Sequence, residues 1–149
     1  MAIWQFDLYM ISLTDISDVS KALLEHGISG LIDTDNTYNV VTKDKLAHFL
    51  QDLNGRFDES VHWLPEMKLY GSLEGNCIEV ECSNDNLIAP IHIRIDMRDL
   101  NYPFLQSLVE LAKKYGCCFV TLGSKILRAD FILLKKFLYD NIHNNSKIN

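Results

Sequence analysis

Between Ile91 and Arg98 the chain alternates strictly, as IHIRIDMR. Ile91, Ile93, Ile95 and Met97 fall on one side of an extended strand, and His92, Arg94, Asp96 and Arg98 fall on the other. That period of two marks a strand with one buried and one polar face. The same rule predicts a first strand over 3–13, with Trp4, Phe6, Leu8 and Met10 on its apolar side and Gln5, Asp7 and Tyr9 opposite. Further strands are expected over 63–73, interrupted early by Pro65, and over 77–82, where Ile78, Val80 and Cys82 point in and Glu79 and Glu81 point out. Gly71, Glu74-Gly75-Asn76 and Asn84-Asp85-Asn86 are turn residues, so these strands and 87–98 form an antiparallel meander.

Helical spacing takes over elsewhere. Ile16, Val19, Leu23 and Leu24 make a stripe opened at Asp15 and closed by Gly27. Leu46, Phe49, Leu50 and Leu53 make a second, capped by Thr42, with Gly55 past its end. Residues 28–41, around Asp33-Thr34-Asp35-Asn36-Thr37, read as a loop with at most a short strand. Pro103 suits the first turn of a third helix, which Gly116 ends, and Asp130 caps a fourth carrying Phe131, Leu134, Phe137 and Leu138. Cys117 to Leu122 is a continuous apolar run, as in a strand buried on both faces. A right-handed crossover through the third helix lays it parallel to 91–98. The expectation is one α+β domain over 1–149 with the order β-α-α-β-β-β-α-β-α. Its mixed, mainly antiparallel sheet has about five strands packed with about four helices, and its polar tail over 141–149 frays.

Composition narrows the functional classes. Hydrophobic content of 48% and charged content of 23% over 149 residues suit a globular domain with its own core. A formal net charge of −6 disfavours non-specific nucleic-acid binding and suits a basic partner. The opening MAIWQFDLYM has no basic segment and no apolar run of signal length, and no stretch is long enough to span a bilayer. Cys77, Cys82, Cys117 and Cys118 lack zinc-ligand spacing and read as buried thiols, which points to a reducing cytoplasm. His26, His48, His62 and His143 are isolated, and no nucleotide-binding or hydrolase motif occurs, so neither a metal nor a cofactor is expected. Gly123-Ser124-Lys125 reads as a turn rather than a phosphate loop.

Two surfaces remain as candidate binding sites. One is the acidic set Asp33, Asp35, Asp52, Asp58 and Glu59. The Asp33 loop begins like a calcium loop, but Tyr38 and Asp44 occupy its glycine and terminal glutamate positions. The other is the sheet face of Glu79, Glu81, Arg94, Asp96 and Arg98, which is either a solvated ladder of ion pairs or a contact surface. His92 as a general base cannot use Asp96, because four residues along one strand are about 13 Å apart at ~3.3 Å per residue. It would need Glu79 or Glu81 from another strand. Trp63, beside Pro65, is a candidate interface anchor.

Trp4-Gln5-Phe6, Trp63, Tyr70-Gly71 and Arg94-Ile95-Asp96-Met97-Arg98 together resemble a pattern in small bacterial immunity proteins. These belong to polymorphic-toxin and contact-dependent growth-inhibition systems. The resemblance covers most of the chain in outline and is specific only at those residues. It implies a cytoplasmic, non-enzymatic inhibitor that binds the C-terminal domain of a cognate toxin, a basic nuclease-like partner, without contacting nucleic acid or membrane itself. It transfers no contact residue. Arg94, Asp96 and Arg98 then serve either the contact or the fold. The alternative is a small enzyme or anion-binding domain using the His92/Arg94/Asp96/Arg98 face.

Overall fold

The computed structural model describes residues 4–15, 41, 43–81, 91–123 and 125–148. The expected helix over 15–27 after its first residue, the loop carrying Asp33 and Asp35, Thr42, Cys82 and the turn at 84–86 lie outside them.

Among the described residues seven strands form one sheet: β1 (Gln5–Ser12), β2 (Glu59–Ser60), β3 (Met67–Gly71), β4 (Cys77–Glu81), β5 (Ile91–Asp96), β6 (Cys117–Thr121) and β7 (Ile126–Leu127). Their spatial order is β2-β3-β4-β5-β1-β6-β7, and every pairing among them is antiparallel. Three α-helices are described: α1 (Leu46–Arg56), α2 (Tyr102–Lys114) and α3 (Phe131–Ile148). The α+β class and the mainly antiparallel sheet therefore stand; the strand count is corrected upward, and three of the four expected helices fall within the described residues. The extra strands are two-residue edge pieces, too short to show a period in sequence. β5 and β6 do run in the same direction, but β1 lies between them and pairs with both.

Alternation explains the central strands. β5 is buried at Ile91, Ile93 and Ile95 and half-buried at the residues between. Those isoleucines join Leu8 and Met10 of β1, Ile78 and Val80 of β4 and Phe119 of β6 in the main core. The helices close it with Phe49, Leu53, Leu105, Leu108, Leu134 and Leu138. Asn101 caps α2 by accepting a hydrogen bond from the Phe104 N–H (3.1 Å), with Pro103 in the first turn. Asp130 caps α3 by accepting from the Leu133 N–H (2.9 Å). Gly116 ends α2 with a positive φ of 63°. β6 is buried at all five positions, Cys118 and Val120 joining Ile11 and Ile126 in a small cluster on the opposite face.

Several local expectations are overturned. α1 runs through Gly55, which faces open space, and the Phe57 N–H still bonds to the Leu53 carbonyl (3.0 Å). Trp63 is not in a strand: Pro65 has no N–H for a ladder, and the chain turns there before β3 begins at Met67. No Pro or Gly interrupts the polar tail, and α3 extends through it to Ile148.

The turn between β3 and β4 is the most heavily fastened loop described. The Trp4 indole N–H donates to the Glu74 carbonyl (2.8 Å), and the Gln5 amide donates to the carbonyls of Leu73 (2.9 Å) and Gly75 (2.7 Å). From β5, the Asp96 N–H donates to Asn76 Oδ1 (2.8 Å). Gly71 enters this turn at φ 89°, and a Cβ there collides with the Asn76 carbonyl oxygen. Gly71→Ala is therefore expected to lower unfolding free energy by more than about 2 kcal/mol, from strain plus the collision. Urea unfolding checks this, and a midpoint equal to the parent's contradicts it.

Candidate functional site

The sheet face opposite the helices carries the polar set of β1, β4 and β5. Register places Asp7 of β1 beside Arg94 of β5, and His92 of β5 beside Glu79 of β4. Three strands thus bring four ionisable side chains together. Glu79 Oε1 lies 2.9 Å from Arg94 Nη1, and Asp7 Oδ1 lies 3.9 Å from Arg94 Nε. His92 Nε2 is 2.5 Å from Asp7 Oδ1, while its Nδ1 is 3.5 Å from Glu79 Oε1. Its ring stacks on Tyr9 at 4.9 Å. His62, from the segment before β3, adds a fifth group: its Nδ1 accepts from the Leu64 N–H (3.0 Å), so Nε2 carries the proton and donates to Glu79 Oε2 (3.0 Å).

This face is not a solvated ladder. Asp7 and Glu79 side chains are only 4% and 10% exposed, so the pairs sit where water screens them poorly. The Tyr9 hydroxyl is held above the usual tyrosine range, first by burial and then by the Asp7 charge. The requirement that His92 find its carboxylate on another strand is met by Glu79 and, more closely, by Asp7. Cys77, the described cysteine on β4 near them, is fully buried, and burial pushes its thiol up. Cys118, also buried, is pushed up to about 12. Among the described residues, no group of three His, Cys, Asp or Glu side chains has the geometry of a metal site.

Asp96 and Arg98 leave this cluster and serve the turn. Arg98 grips Asp96 with a fork, Nε to Oδ1 at 2.9 Å and Nη2 to Oδ2 at 2.7 Å. Its guanidinium lies 4.4 Å over the Trp4 ring and also reaches the Glu74 carbonyl (3.3 Å). The hydrogen bonds from Arg98 hold the Asp96 carboxyl below its ordinary range.

The other acidic candidates scatter. Asp52 ties α1 to the end of α2 through Lys114 Nζ (2.8 Å) and the Tyr115 hydroxyl. Those two donors, Lys114 first, hold its carboxyl low. Asp58 is exposed, and its carbonyl accepts from the Gly71 N–H (2.9 Å). Glu59 is exposed on β2, and Glu81 is exposed at the end of β4. Asp33 and Asp35 lie outside the described residues. The acidic set is therefore not one patch.

A cleft of about 490 Å³ opens over the charged face. Trp4, Leu64, Met67 and Leu73 form apolar parts of its wall, with His62, Glu74, Glu79 and Arg94 as polar ones. Trp63 also lines it and is 77% exposed, with one face stacked on His62 at 5.8 Å. Its neighbour Val61 is 93% exposed. Sequence reasoning singled out Trp63 and Glu79 but missed Asp7 and His62 as members of this site. Asp7 carried a signal, a carboxylate amid apolar residues on a strand; His62 carried none.

Comparison of the chain with protein-family models, with curated proteins and with solved structures gives no match.

The Tyr115 hydroxyl makes a pH test of the α1–α2 tie. Burial first, then the bond to Asp52, pushes it up to about 12, against about 10 for a free tyrosine. A raised folded value means the fold favours the protonated hydroxyl. That contribution is present below about pH 10 and lost as pH rises through about 12. Tyr115→Phe keeps the ring against Phe49 and removes the titrating group. Its urea midpoint is expected to fall less than the parent's between about pH 9 and about pH 11.5. Parallel curves contradict the assignment.

Proposed function

We propose that this chain is a stoichiometric inhibitor that binds a basic toxin domain, the role of the immunity proteins it resembles, and that the partner docks on the Trp63 cleft. The observation that carries this reading is the exposed indole itself. An exposed tryptophan backed by a histidine, set beside Val61 and Leu73 that are also exposed, leaves apolar area in water that a partner buries at roughly 25 cal/mol per Å². Tryptophan is also the residue type most enriched at energetic hot spots. Exposed Glu59, Glu66 and Glu74 in and around the cleft's segments, with the net charge of −6, suit fast association with a cationic surface.

One observation favours a small enzyme instead: the His92–Asp7 pair has the form of an imidazole oriented by a buried carboxylate. An anion pocket has less support, because Arg94 faces Glu79 and Asp7 and Arg98 is forked onto Asp96.

Co-expression with a basic toxin-type domain encoded beside this chain tests the proposal. The expected result is restored growth and a one-to-one complex on purification. Trp63→Ala is expected to weaken that complex about 30-fold, the equivalent of about 2 kcal/mol, with thermal stability unchanged. Absence of both rescue and co-purification sinks the proposal.

A further inference from the structure

We propose that the partner anchors itself by an arginine side chain inserted into the cleft, its guanidinium against the Trp63 indole and the carboxylates of Glu74 and Glu79. The inference rests on the protein-binding reading of the cleft and names the group that the cleft takes.

Charge points first to a cation. Glu74 and Glu79 line the cleft against a single lining cation, Arg94, and Asp7 stands behind Arg94 as a further carboxylate. Arg94 is thus opposed by two carboxylates before any ligand arrives. Glu79 is a carboxylate fixed at the cleft wall: its side chain is nine-tenths buried, His62 donates to Oε2, and Arg94 Nη1 stands 2.9 Å from Oε1.

The indole points to a planar cation. Trp63 rests one face on His62, and among the described residues no cation lies over its ring. Nearby, the chain uses the same combination internally. Arg98 lies over Trp4, forked onto a carboxylate and bonded to the Glu74 carbonyl. Arginine suits such a place better than lysine, because its flat, weakly hydrated fork stacks on a ring and bonds a carboxylate through two nitrogens at once. An apolar occupant would strip water from Glu79 and Arg94 without replacing the lost hydrogen bonds.

The test titrates the full chain with acetyl-arginine methylamide and follows the Trp63 indole N–H resonance by NMR. Acetyl-norleucine methylamide and inorganic phosphate serve as parallel probes. A saturable shift with the arginine probe alone is expected, weakened about tenfold by Glu79→Gln. Glu74→Gln, at an exposed position, carries the same test with little risk to folding and should weaken binding in the same direction. No saturable shift, an equal shift with norleucine, or a shift with phosphate alone overturns the inference. Capture of the basic domain by a chain blind to the arginine probe overturns this inference and leaves the inhibitor reading standing. Arginine binding without capture supports the cation site and removes the inhibitor reading.

Discussion

Arg94 stands on the middle strand of three and faces a carboxylate from each neighbour, Glu79 on β4 and Asp7 on β1. The strands that meet there come from distant parts of the chain, so the cluster exists only when β1 has slotted between β5 and β6. Once formed, it constrains register. A one-residue slip of any of the three strands would turn its charged residue toward the isoleucine core. Removing one partner from a buried ion pair costs about 3–5 kcal/mol, because the remaining charge is stranded away from water. The polar face therefore acts as a second core, with ion pairs where the helix side has aliphatic packing.

The residues that carry the proposed family resemblance divide between this cluster and the turn beside it. Trp4, Gln5, Asp96 and Arg98 hold the β3–β4 turn, and Gly71 supplies the backbone conformation that the turn needs. Tyr70 is buried on the helix side, its hydroxyl donating to Asn54 of α1. All six hold backbone or neighbouring elements in place. Trp63 differs: its ring is turned to solvent beside the cleft. A recurring sequence pattern can thus be mainly a record of how a sheet is fastened.

The charged cluster and the cleft are two sides of one arrangement. Glu79 belongs to both, receiving His62 and Arg94 while lining the wall near Trp63. A rigid carboxylate held by neighbouring groups loses little entropy when a partner arrives, which is the physical advantage of a preorganised contact. The same rigidity would serve a catalytic imidazole, and the His92–Asp7 pair keeps that reading alive. The enzyme reading lacks a nucleophile among the cysteines described, all of which are buried.

Alternation along IHIRIDMR was enough to determine which side of β5 is buried, and helical spacing with Asp, Pro and Gly punctuation was enough to locate α2 and α3. These are local properties, set by side-chain period and backbone geometry. The same reasoning failed where local signals were short or conflicting: at the two-residue strands, at Gly55 and at Trp63. It also left the polar face open between a solvated ladder and a contact surface, because a charged residue in a sequence carries no mark of what covers it. Tertiary structure decided that β1 lies in the sheet's interior, that Asp7 and His62 join Glu79 and Arg94, and that Asp52 serves the helices instead. Those outcomes depend on which distant strands become neighbours, and that is settled by packing the whole chain rather than by the period of any one segment.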